Sequence, residues 1–138
     1  MTDAREQQGP DGSAAASEAT RQKTLTILLN RGPFISEQAD LAVNLALAAA
    51  RKGHRVRVYL YLDGVWVPHV RQDKPFSNVG ESLKWALRKG VEVKSCARCA
   101  TEARDITAQD MIPGIPLVGI FTLVDWLKDS DRTITFTG

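Results

Sequence analysis

The chain has 138 residues, 43% of them apolar and 25% charged, with a net charge of +2. That suffices for one globular core, and so small a charge argues against nucleic acid or an anionic membrane surface, which need Lys and Arg clustered on one face. The longest apolar stretch, Leu41 to Ala50, is broken by Asn44 and is half of the roughly 20 residues a bilayer span takes, so no membrane partner is expected.

Residues 1–22 are rich in Ala, Ser, Gln, Gly and acidic residues and carry no apolar run of the kind a secretory signal needs. Such a composition buries too little surface to offset its ordering entropy, which predicts a disordered tail over 1–22 and one domain over 23–138. Two cysteines spaced C-x-x-C without an export signal point to reduced thiols in the cytoplasm.

Thr24 to Leu29 is a β-branched and aliphatic run that reads as a buried strand entering the loop Asn30-Arg31-Gly32-Pro33. Ser36 is positioned to cap a helix from Glu37 to Lys52, largely covered because Glu37, Asp40 and Asn44 form its only polar stripe before Arg51, and Gly53 ends it. From Arg55 to Leu62, Val56, Val58, Leu60 and Leu62 alternate with Arg55, Arg57, Tyr59 and Tyr61, the period of a strand with two unlike faces. The Tyr face is expected to meet a helix or another subunit.

Asp63-Gly64 reads as a turn, and Val65 to Ser77 as a long loop in which Trp66 and Phe76 stand out. Asn78 and Glu81 have capping-box spacing ahead of a helix whose stripe is Val79, Leu83, Ala86 and Leu87. Val91 to Ser95 is the next strand and delivers Cys96 at its end. A short helix and a strand over Ile115 to Val118 follow. Thr122, Asp125 and a Phe121–Trp126 staple predict the last helix, and Thr133 to Phe136 closes the sheet.

Alternating elements of this kind imply an α/β fold, a single three-layer domain whose mainly parallel five-stranded sheet carries helices on both faces. Ligands of such sheets gather outside the carboxyl ends of the strands. That places Asn30 to Gly32, Asp63 to His69, Cys96 to Cys99 and Gly119 together.

The densest chemistry is Lys94-Ser95-Cys96-Ala97-Arg98-Cys99 with Glu102 and Arg104. A thiol between a strand end and a helix start lies near unpaired backbone N–H groups, which favour the thiolate, and a persulfide anion suits the same environment. Cys99 is placed to resolve a mixed disulfide or persulfide, or to serve as a buried helix residue. A thioredoxin-like reading fails because Pro116 follows Cys99 too closely. Zinc ligation by Cys96, Cys99, His54 and His69 fails because His54 starts its strand, at the opposite edge of the sheet; no metal or other cofactor is expected. His69 alone is a candidate base from the loop. Walker, GxGxxG and nucleophile-elbow patterns are absent.

Strand-Asn30-x-Gly32, Gly53-His54-x-Val56-x-Val58-x-Leu60-x-x-Asp63-Gly64-Val65, Gly90-Val91-Glu92-Val93-x-x-Cys96-x-x-Cys99-x-x-x-x-Arg104 and Asp131-x-x-Ile134-Thr135-Phe136 together resemble the DsrE/DsrF-like sulfur-relay family, of TusD/YchN-like type, across residues 24–138. The resemblance implies a flavodoxin-like sheet, homo- or hetero-oligomers with trimers and hexamers among them, and a persulfide on Cys96 that passes between donor and acceptor proteins. The strand-end placement and the local positive charge make Asn30, Gly32, Asp63, His69, Arg98 and Arg104 candidate substrate-binding residues around catalytic Cys96 and Cys99. Where the family pattern has Arg-Gly, this chain has Arg104-Asp105, and Cys96 stands one residue further from Arg104, so Cys99 stays open as the carrier. Two other classes of function stay open: an oligomeric binding or scaffold protein with structural cysteines, and a thiol redox sensor or peroxidase-like protein.

Overall fold

A computed structural model describes residues 21–72, 74 and 78–137. The tail expected over residues 1–22 falls outside these almost entirely, and so does Phe76. Five strands, β1 (Thr24–Leu29), β2 (Arg55–Leu60), β3 (Glu92–Cys96), β4 (Leu117–Val118) and β5 (Arg132–Phe136), form one parallel sheet in the order β4-β3-β2-β1-β5. Helices α1 (Gln38–Arg51) and α2 (Val79–Arg88) are the crossovers that step from β1 to β3. Helix α3 (Ile120–Asp129) carries the chain back past β1. Because parallel crossovers are right-handed, reversing the direction of travel puts α3 on the opposite face from α1 and α2. The three-layer reading is therefore correct.

The two faces differ chemically. Ile27, Leu29, Val56, Val58, Leu60 and Val93 are buried, and Ala39, Ala42, Val43, Ala46, Leu83 and Ala86 of α1 and α2 are buried with them in one core. The α3 face holds Thr26, Arg57, Tyr59, Lys94 and Cys96, which alternate with the first set. Trp126 closes over it: its ring meets Tyr59 edge-on with centroids 6.3 Å apart, and the Arg57 and Lys94 cations lie 5.5 and 5.1 Å from its centre. Arg57, 3% exposed, is paired with the Asp129 carboxylate at 2.5 Å. A buried charge persists only with such a partner.

Several boundaries move. The strand read as Arg55 to Leu62 ends at Leu60 because Leu62 takes a left-handed backbone (φ +52°) and starts a 3₁₀ turn over Leu62–Trp66. Close packing fixes this bend: a Cβ on Gly64 would lie 2.1 Å from the Leu29 carbonyl oxygen, so only glycine brings the chain across the end of β1. Val65 and Val67 are wholly buried, and the segment read as a long loop contributes to the core and holds a second 3₁₀ turn at Val70–Gln72. Strand β4 is two residues long, preceded by Pro113 and Pro116, which have no N–H to give.

Helix α3 begins at Ile120 rather than after Thr122, with extended Gly119 as its cap. Its phase follows from burial of Leu123 and Trp126 on the sheet, which leaves Phe121 80% exposed and no Phe121–Trp126 staple. Ser36 accepts the Gln38 N–H at 3.3 Å, whereas the helix cap is Glu37. The Asn78 cap forms as read, its Oδ1 accepting the Glu81 N–H at 3.2 Å.

Candidate functional site

Cys96 is the last residue of β3, and Cys99 lies in a π-helical turn over Arg98–Glu102 that begins directly after it. This wider turn is the local form taken where β3 must stop at the sheet edge while Cys99 and Ala100 point inward and Arg98 and Glu102 stay in water. Such turns recur at functional sites because they re-aim side chains. The turn closes on itself: the Ile106 N–H reaches the Ala100 carbonyl at 2.9 Å, the Thr101 hydroxyl donates to the Ile106 carbonyl at 2.9 Å, and Asp105 is left-handed at φ +53°.

The backbone N–H of Cys99 donates to the Cys96 sulfur at 3.3 Å. A thiolate gains more than a thiol from such a donor. Both cysteines are buried, Cys96 at 3% and Cys99 at 7% exposure. Burial first, and then the hydrogen bond with Cys96, raises the pKa of the Cys99 thiol, while the Leu62 backbone N–H and nearby Arg104 pull the other way. Cys99 therefore keeps its proton at neutral pH. The pair is built asymmetrically, with Cys96 as acceptor and Cys99 as the protonated neighbour.

Arg104 ties the turn to the rest of the sheet edge. Its guanidinium donates to the Cys99 carbonyl at 2.8 Å and to Asp63 Oδ1 at 2.9 Å. Asp63 in turn packs its backbone on Gly32, where a Cβ would sit 3.2 Å from the Asp63 carbonyl oxygen. Asn30 continues β1 by donating its N–H to the Phe136 carbonyl at 3.0 Å, with its Oδ1 buried. The carboxyl ends of β1, β2 and β3 thus bring Asn30, Gly32, Asp63, Cys96 and Cys99 to one edge, and the cysteine turn adds Arg104.

Arg98 and His69 make contacts of other kinds. Arg98, 88% exposed, pairs with Glu102 at 3.5 Å across the outside of the turn. His69 accepts the Arg71 N–H on Nδ1 at 3.1 Å, forms a bridge to Met111, and lines a cavity of about 250 Å³ with Asn78, Glu81, Lys84 and Ile112. The cation of Lys94 faces Trp126. His54 accepts the Lys23 N–H at 3.3 Å at the amino edge. Among the described residues no group of three or more His, Cys, Asp or Glu side chains is placed to hold a metal ion.

Sequence reasoning missed two residues here. Leu62 presents its backbone N–H to Cys99 from a left-handed turn that no local pattern signals. Tyr59 stands in the sequence only as half of a two-tyrosine face, although its alternation puts it on the side of the sheet that holds Cys96.

The DsrE/DsrF-like family matches residues 23–136. An uncharacterized protein of Methanopyrus kandleri, MK0008, is 34% identical over 113 residues, 81% of this chain and 93% of that protein. Protein YchN of Escherichia coli is 28% identical over 116 residues, 81% of this chain and 97% of YchN. The crystal structure of YchN superimposes with a TM-score of 0.74, covering 83% of this chain and 99% of that one. A protein of unknown function from Methanobacterium thermoautotrophicum, MTH1491, shares the fold at a TM-score of 0.65 and 15% identity, covering 83% of this chain and all of that one. Among the described residues, no helix is long and apolar enough to cross a membrane.

Proposed function

This chain belongs to the DsrE/DsrF-like family, and from that premise we propose that it is a sulfur carrier or sulfurtransferase-like protein that holds sulfane sulfur as a persulfide on Cys96. One observation carries the reading: the Cys99 N–H aimed at the Cys96 sulfur at a sheet edge. The Cys96 thiolate attacks the outer sulfur of a donor persulfide, the S–S bond of the donor breaks, and the donor leaves as a thiolate. An acceptor thiolate then attacks the outer sulfur of Cys96-S-S⁻ and Cys96 returns as a thiolate. Cys99 supplies its backbone N–H and a neighbouring thiol proton. Donor and acceptor are proteins, and the reducing cytoplasm keeps both thiols free.

The carrier acts as a homo-oligomer, a trimer or a hexamer. Ile120, Phe121, Val124 and Leu127 are exposed on one side of α3 at positions i, i+1, i+4 and i+7, and a stripe of this kind suits burial against another copy.

The experiment is to treat reduced protein with a sulfane-sulfur donor and weigh intact wild type, Cys96→Ser and Cys99→Ser. A gain of about 32 Da, one sulfur, that only Cys96→Ser loses is the expected result. Burial of both cysteines favours a second reading, an oligomeric binding or scaffold protein in which they are structural. If neither thiol gains sulfur and both resist alkylation, that reading replaces the carrier.

A further inference from the structure

Tyr59 and Cys96 stand on neighbouring strands and on the same face: Tyr59 is paired with Lys94, two residues before Cys96. Cys96 is paired in turn with Val118 of β4, and the next residue, Gly119, offers its carbonyl to the Tyr59 hydroxyl at 3.1 Å. The phenol therefore runs from β2 past Cys96 to the end of β4, with Cys96 as its neighbour on the same face. The ring is wholly buried and held edge-on by Trp126, so the hydroxyl has a fixed place and one free motion, rotation of its O–H.

The Gly119 carbonyl has a second donor, the Thr122 N–H at 3.3 Å. When the hydroxyl turns away, that carbonyl keeps a partner, so the turn leaves no buried acceptor orphaned. A charged sulfur is the stronger acceptor, because hydrogen bonds to an ion are roughly twice as strong as neutral ones.

We infer that Tyr59 is a positioning residue for the Cys96 sulfur, its hydroxyl resting on the Gly119 carbonyl while Cys96 is a thiol and turning to donate to the sulfur when that atom is a thiolate or a persulfide anion. No bond to hydrogen is broken in this step; only the O–H torsion changes. Burial, and then the adjoining Cys96 sulfur, holds the phenol well above its ordinary pKa, so it remains a donor throughout the range in which thiols titrate. The inference rests on Cys96 being the working sulfur and extends it by naming the side chain that selects the charged form.

The test is made in a Cys99→Ser background, so that a single thiol is read, by following Cys96 alkylation rate and thiolate absorbance against pH. Replacing Tyr59→Phe is expected to move the midpoint up by about one pH unit and slow alkylation at pH 7 about tenfold, with the high-pH plateau rate unchanged. A midpoint that stays in place in a folded Tyr59→Phe protein overturns the inference, as does a plateau that rises at an unchanged midpoint, which is the mark of mere loosening. If Tyr59→Phe does not fold, fluorotyrosine at 59, a stronger donor of nearly the same size, decides: a lowered midpoint supports the inference and an unchanged one ends it. Sulfur uptake is scored separately, so a shifted midpoint without sulfur gain would remove the carrier reading and leave the Tyr59 assignment standing.

Discussion

Arg104 holds the carbonyl of Cys99 at 2.8 Å while its other terminal nitrogen meets the Asp63 carboxylate at 2.9 Å. One planar guanidinium therefore fixes the cysteine turn to the turn after β2, a two-armed role that a lysine ammonium does not reproduce. Arg104→Lys is expected to keep the charge and lose the clamp. Hydrogen exchange should quicken at residues 98–104, and stability should fall by about 1 kcal/mol, the scale of one partly exposed bond of this kind. Exchange as slow as in wild type would refute the clamp.

Gly64 is the tightest backbone approach among these elements, since its missing Cβ would fall 2.1 Å from the Leu29 carbonyl oxygen. Backbone on both sides cannot yield as a flexible side chain does. Gly64→Ala should cost roughly 3 kcal/mol or more, read as a lowered midpoint in urea unfolding. A loss under about 0.5 kcal/mol, the range of ordinary surface changes, would mean that the turn does not lie on the end of β1.

Leu62 spends a left-handed conformation at φ +52° to aim its N–H at Cys99. Such a backbone costs a non-glycine residue about 1–2 kcal/mol. Leu62→Gly removes that strain along with a half-exposed side chain and should remain within about 1 kcal/mol of wild type. Leu62→Pro removes both the N–H and the permitted φ, and should raise the Cys99 thiol pKa further or unfold the edge. Thermal unfolding and thiol titration of the two variants separate these effects.

The Arg57–Asp129 pair predicts acid behaviour. Hydrogen bonding from the Arg57 guanidinium, then its charge, holds the Asp129 carboxyl below its ordinary value of 3.8. A carboxyl whose folded pKa is depressed adds stability that is fully present above the unfolded value and is lost as pH falls through the folded one. The pair should therefore weaken from about pH 4 downward. In Asp129→Asn that part of the stability curve should flatten, measured by unfolding at stepped pH; an unchanged slope would show that the pair does not titrate with folding.

The stripe on α3 gives a fifth measurement. Phe121→Asp or Val124→Asp places a charge where a second copy is proposed to sit, and sedimentation should show the assembly shifting to a smaller species while circular dichroism stays native. Unchanged mass would move the interface elsewhere.

Much of this molecule was legible from local pattern. Aliphatic runs bounded by Asn30-Arg31-Gly32 and Lys89-Gly90, and the two-residue alternation of Arg55 to Leu60, determined a parallel α/β sheet. They also placed both cysteines at its carboxyl edge, because burial imposes its period directly on the sequence. Boundaries failed where a distant group decided them. Leu62 leaves its strand because Gly64 must lie on the Leu29 carbonyl, α3 starts early because Trp126 must reach Tyr59, and Val65 and Val67 enter the core from a segment that reads as loop. Composition equally marked Arg98 and Arg104 as cations beside the thiols. Only the tertiary structure separated Arg104, turned inward to Cys99 and Asp63, from Arg98, turned to solvent and Glu102. Composition and period determined which residue types meet at this edge; which cation turns inward was decided by the Asp63 carboxylate, 41 residues away in the chain, which no local period encodes.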